Sequence, residues 1–165
     1  MKWLGFVAGL CLTVLSIVPH TASAAQEIKP FVRGSYQEIV ATRKNKPFIV
    51  NFWSLSCGYC MVELEMLKKL AKKFPKLDLV LVSTDSPEEK KLVSATLAKY
   101  SLGRAEAWVF ADSYTERLRF EVDKKWQGEL PRTYFFSPKG EVTAISGKLE
   151  QKEVEQWIKE QYSSR

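Results

Sequence analysis

Two periodicities alternate along this chain. Phe48-Ile49-Val50-Asn51-Phe52-Trp53, placed behind Pro47, is a β-branched and aromatic run that predicts a buried strand. After a turn at Ser54 to Ser56 the apolar positions change to helical spacing. Cys60, Leu64, Leu67, Ala71 and Phe74 then share one face, which predicts a helix over 58–74 that Pro75 stops. Leu77 to Ser83 reads as a second buried strand. Ser86-Pro87-Glu88-Glu89 combines an N-cap, a proline at the first helical position and a capping-box glutamate, opening a helix to about Tyr100. A short strand over 107–111 and a helix over 113–121 follow. Arg132 to Phe136 predicts another strand, Ser137 to Gly140 a turn, and Glu141 to Ile145 the returning strand. Gln151 to Tyr162 closes the chain as a helix with Val154, Trp157 and Ile158 inward. Upstream, Ser35 is expected to cap a short helix carrying Tyr36, Ile39 and Val40, and residues 25–34 read as a loose lead.

This order predicts an α/β fold: a mainly parallel sheet with helices on both faces and a final hairpin adding an antiparallel edge. The first 24 residues stand apart from it. Lys2, the apolar run Trp3 to Val18, the break at Pro19-His20 and the small-x-small site Ala22-Ser23-Ala24 have the layout of a secretory signal peptide. The run is shorter than the roughly 20 residues of a membrane span. Cleavage and retention as an N-terminal anchor both stay open. Cys11 sits inside the apolar run after Leu10, which argues against a lipoprotein site. Residues 25–165 are then expected to form one domain, since roughly 140 residues suit a single core.

The net charge of +6 is modest, and the lysines of 68–73 and 90–91 alternate with glutamates on expected helix surfaces. That pattern fits solvated faces and gives no nucleic-acid patch. The cysteines change the picture more. Of three, Cys11 belongs to the leader, and Cys57 and Cys60 lie two residues apart. A bridge between them closes a very small ring and staples the chain weakly. An exported protein that spends its only cysteine pair this way is better explained by chemistry than by stability.

Position sharpens the motif. The pair falls where the first buried strand ends and the long helix begins, the edge at which α/β sheets collect their chemistry. Cys57 is expected at or just before the helix N-cap, where free N–H groups and the helix dipole favour a thiolate. Cys60, one turn on and on the apolar face, should be buried and less nucleophilic. An exposed attacker beside a protected resolver is what disulfide exchange requires.

Asn51-Phe52-Trp53, Cys57-Gly58-Tyr59-Cys60, Glu63, Leu130-Pro131-Arg132-Thr133-Tyr134-Phe135-Phe136 and Gly140 together resemble the thioredoxin superfamily, in particular its TlpA/ResA-like periplasmic branch. The resemblance runs from about Lys46 to Tyr162. It implies a thioredoxin-like fold, a mixed central sheet flanked by helices, with Pro87 to Ala111 as the extra helix and strand of that branch. It implies catalytic roles for Cys57 and Cys60 and makes Pro131 a cis-proline beside them, although a trans proline starting an edge strand would read the same way. Glu63 matches an acid near the buried cysteine and becomes either its proton acceptor or a solvated helix glutamate. Leu130, Pro131, Trp53 and Tyr59 are the expected substrate-binding residues. No cofactor and no metal are implied.

Several positions depart from the pattern. Asn51 replaces a buried aspartate of cytoplasmic thioredoxins, Ser56 a tryptophan, and Glu65 a helix-kinking proline, so the helix should run straighter. Gly58-Tyr59 lacks the proline of reducing members and resembles the spacer of disulfide isomerases. Arg132 replaces a threonine, and the unusual segment 124–129, with Trp126, is where substrate choice is expected. The implied function is an exported thiol–disulfide oxidoreductase, acting as a reductase on cysteine-containing exported proteins such as apocytochrome c. Its implied electron donor is a membrane thiol carrier, and the protein is expected to be monomeric. A Cu(I) chaperone is the alternative, but the only histidine, His20, lies in the leader. A peroxidase would need a threonine-containing loop around one cysteine, which is missing at Cys57.

Overall fold

The computed structural model describes residues 26–162. The expected leader, with Cys11 and His20, lies outside the described residues. The elements in chain order are β1 (Ile28–Phe31), α1 (Ser35–Ala41), β2 (Phe48–Trp53), α2 (Gly58–Lys73), β3 (Leu79–Ser83), α3 (Lys90–Lys99), β4 (Glu106–Phe110), α4 (Thr115–Val122), β5 (Arg132–Phe136), β6 (Val142–Ser146) and α5 (Gln151–Tyr162). They form one sheet in the order β1-β4-β3-β2-β5-β6. The first four strands run parallel, β5 runs antiparallel to its neighbour β2, and β6 runs antiparallel to β5. The expected mixed α/β sheet is therefore present.

The strand period of two divides the core. Ile49, Trp53, Leu79, Leu81, Ala107 and Val109 face Leu64, Leu67, Leu97, Val154 and Ile158 of α2, α3 and α5. Val50, Phe52, Val80, Val82, Trp108 and Phe110 face Ile39 of α1 and Leu118 of α4. With both faces covered, β2 and β3 are buried along their whole length. Continuous apolar runs of this kind are characteristic of parallel strands covered on both sides.

Three expectations need correction. The loose lead at 25–34 contains β1, whose Ile28 and Phe31 are each 1% exposed and which pairs with β4. Its four residues include Pro30 and show no clear alternation; the sheet edge tolerates the proline because no neighbour lies on the other side. Ser35 does not cap α1. Gly34 holds the cap position at φ 87°, and the Ser35 hydroxyl instead accepts from the Val32 N–H. The helix expected after Ser86 begins as a 3₁₀ turn over Pro87–Glu89, with the Glu89 carboxylate accepting from the Ser86 N–H. Other boundaries differ by one or two residues, and α2 runs unbroken past Glu65 as expected.

Candidate active site

The end of β2 and the start of α2 form the site. Ser54 O accepts from the Cys57 N–H at 3.1 Å, closing the turn between the two elements. Cys57 occupies the N-cap of α2 in extended conformation, and its sulfur accepts from the Cys60 N–H at 3.1 Å. Among the described residues this is the only hydrogen bond to that sulfur. Cys57 and Cys60 are joined as a disulfide. Cys57 is half-buried while Cys60 is 0% exposed, matching the expected asymmetry of the pair. Beside them the Leu130–Pro131 bond is cis. Pro131 is buried just before Arg132, which lies opposite Phe52 at the end of β2.

Glu63 follows Cys60 by one turn on the same helix and is 2% exposed, more enclosed than its sequence context suggests. It is not a solvated helix glutamate. Its Oε1 accepts from Asn51 Nδ2 at 2.6 Å and from the Thr133 hydroxyl at 3.0 Å, and its Oε2 accepts from the Leu149 N–H at 3.3 Å. Asn51 Nδ2 also donates to Thr133 Oγ1 at 2.9 Å. Among the described residues, the three groups that hydrogen-bond the carboxylate are neutral donors. Burial raises its pKa, and the bonds from Thr133, Leu149 and Asn51 oppose that rise without cancelling it. Glu63 also lines a groove of about 550 Å³ between α2, Tyr100 and the 148–151 segment.

The expected substrate contacts divide. Tyr59 is 71% exposed beside the disulfide, and Leu130 is half-buried at the cis bond. Trp53 is 0% exposed and belongs to the core between the sheet and α2, so a direct contact with substrate is corrected to support from beneath. Trp126 likewise packs inward, 4.7 Å from the Phe52 ring, with its indole N–H on Glu129 O. It anchors the segment leading to Pro131. Arg132 ties the same segment down through Asp123 at 2.7 Å and Ser146 at 2.6 Å. Thr133, the Leu149 amide and Asp85 escaped sequence reasoning. The first two are 70 and 86 residues from Glu63. Asp85 could have been found, because it lies two residues past β3, whose end is paired with the end of β2.

A family model described as AhpC/TSA matches residues 33–145, spanning β2, the cysteine pair and Pro131. The chain belongs to the AhpC/TSA family. A thioredoxin-like protein of Bacillus subtilis, YneN, is 29% identical over 121 residues, covering 68% of this chain and 64% of that protein's length. Among solved structures, a thiol:disulfide interchange protein of the thioredoxin family from Chlorobium tepidum superposes with a TM-score of 0.58. It is 19% identical and covers 73% of this chain and 83% of its own. A secreted Mycobacterium tuberculosis disulfide oxidoreductase gives a TM-score of 0.55 at 20% identity, covering 72% and 84%. These likenesses establish that this AhpC/TSA chain has a thioredoxin-like fold.

Proposed function

We propose that this protein is an exported thiol–disulfide oxidoreductase that reduces disulfides in cysteine-containing exported proteins. The observation that carries the reading is the pairing of a half-exposed cysteine at a helix N-cap with a fully buried one a turn later. Thiolate Cys57 attacks one sulfur of a substrate disulfide. The substrate S–S bond breaks, a mixed disulfide forms, and the departing substrate thiolate takes up a proton. Cys60 then loses its proton to Glu63 and attacks the Cys57 sulfur, closing Cys57–Cys60 and releasing the second substrate sulfur as a thiolate that takes up a proton from solvent. Tyr59, Leu130 and Pro131 border the disulfide and present the surface on which a substrate chain would lie. A membrane thiol carrier would return the two electrons.

The reductive direction fits a Cys57 sulfur that, among the described residues, accepts a single hydrogen bond, from the Cys60 N–H. Strong oxidants of this class owe their potential to a stabilised reduced form. Export is supported by the leader-like first 24 residues, and no described helix is long and apolar enough to cross a membrane. Titration of the Cys57/Cys60 couple against glutathione and dithiothreitol tests the direction. A potential near about −270 mV supports a reductase, and one near about −120 mV identifies an oxidant.

A further inference from the structure

Leu130 and Pro131 belong to no helix or strand, yet their two neighbours in the chain are fastened to each other. Arg132 opens β5, and its side chain is only 13% exposed. Its Nη1 donates to Ser146 Oγ at 2.6 Å, and the Ser146 hydroxyl donates on to Glu129 Oε1 at 2.7 Å. Nη1 also lies 3.6 Å from that same Glu129 oxygen. The second Glu129 oxygen accepts from the Gln127 N–H at 3.0 Å. The rest of the guanidinium is taken up by Asp123 Oδ2 at 2.7 Å and the Tyr134 hydroxyl at 3.1 Å. Ser146 ends β6, and the next residue, Gly147, donates its N–H to Pro131 O at 2.8 Å.

These bonds close into a ring around the cis dipeptide. A guanidinium only donates, and a hydroxyl has one proton and two acceptor sites. Ser146 therefore accepts from Arg132 and gives its own proton to Glu129, held between a cation and an anion. Isolated exposed ion pairs contribute little. Here one guanidinium, largely out of water, is shared by two carboxylates and two hydroxyls, and bonds of this charge-assisted kind are the strong ones. Glu129 stands just before Leu130–Pro131 and Arg132 just after, so both ends of the two-residue span are fixed. Gly147 adds a tie to the proline carbonyl itself. The ordering of this surface is then settled before a substrate arrives rather than on binding. We propose that the Glu129–Ser146–Arg132 clasp is a specificity-determining positioning device. It holds Leu130–Pro131 in the form that an extended polypeptide binds, and so favours protein disulfides over small ones. The clasp acts through the geometry of Leu130–Pro131 and touches neither sulfur. It deepens the oxidoreductase reading and rests on it.

Arg132→Met tests the proposal, because it removes the hub and keeps an apolar stem. The reduced protein is assayed on insulin, as the protein disulfide, and on hydroxyethyl disulfide, as the small one. The ratio of the two kcat/KM values should fall by about fivefold or more, through a raised KM for insulin rather than a lowered kcat. Arg132→Lys should not restore the ratio, since an ammonium lacks the planar fork that reaches Ser146, Asp123 and Tyr134 together. Should Arg132→Met not fold, Ser146→Ala, at an exposed position, cuts the same link and should lower the ratio by about twofold or more. Adding Glu129→Gln to Ser146→Ala should lower it little further, because both break one connection. Amide hydrogen exchange at Gln127 and Gly147 should quicken in each of these variants. An unchanged ratio in the folded variants overturns the proposal. So does an equal loss on both disulfides, or unchanged exchange at the two amides. Failure of the wild type to reduce either disulfide would instead refute the oxidoreductase reading, and the amide exchange would still test the clasp.

Discussion

Glu63 is a buried acid held by three neutral donors and, among the described residues, in no ion pair. Its carboxylate is matched by Asn51, Thr133 and the Leu149 amide, yet burial still holds its pKa above the ordinary value of 4.5. The linkage has a definite sign. Below the unfolded pKa the group is protonated in both states and its contribution is fully present. As pH rises through the raised folded pKa, the folded state must ionise a buried group, and that contribution is lost. Urea unfolding of the wild type should therefore show stability falling with pH from about 4.5 upward, over and above the other titrating groups. Glu63→Gln should flatten that slope, at a pH-independent penalty of about 1–3 kcal/mol because its NH₂ would face a donor. A slope that survives the substitution would assign the pH dependence elsewhere. At this scale the sequence exposed Cys57, Cys60 and Glu63, whose spacing along one helix is local. It could not expose Thr133 or Leu149, because long-range pairing brings them to the carboxylate. Asn51 was legible only as a missing aspartate, and its bond to Glu63 depends on the strand face it occupies.

Between elements, the approach to Pro131 shows how packing sets the site. Residues 123–130 form no regular element, but Trp126 fills the core against Phe52 and Arg132 clamps Asp123. Trp126→Ala should cost about 3–5 kcal/mol in denaturant unfolding. It should also raise KM for a protein disulfide more than it lowers kcat, since the cysteines stay in place while the adjoining surface loosens. A stability loss under 1 kcal/mol would show that the indole is dispensable there. β2 and β3 were legible as continuous apolar runs and α2 as a long, strongly periodic segment. β1 was not: four residues with a proline acquire strand character only from pairing with β4. Phe31→Ala should accordingly destabilise the protein by about 3–5 kcal/mol although it lies in a segment that reads as a tail. The loss would be read from the midpoint of thermal or urea unfolding.

Across the whole molecule, the parallel strands β2 and β3 end side by side, and the chain leaving them supplies the cysteine turn and Asp85. The antiparallel β5 begins at the same edge and delivers Pro131. One end of the sheet thus carries Cys57, Asp85 and the cis Leu130–Pro131 bond, while Glu63 lies on the α2 face behind. The helix covering that face buries Cys60 and leaves Cys57 accessible. That difference in access is the central claim, and trapping tests it most directly. Cys60→Ser, incubated with a disulfide-containing substrate protein and analysed by non-reducing electrophoresis and mass spectrometry, should accumulate a mixed disulfide through Cys57, whereas Cys57→Ser should accumulate none. Trapping through Cys60 in the Cys57→Ser protein, with none in Cys60→Ser, would contradict the assignment of attacker and resolver.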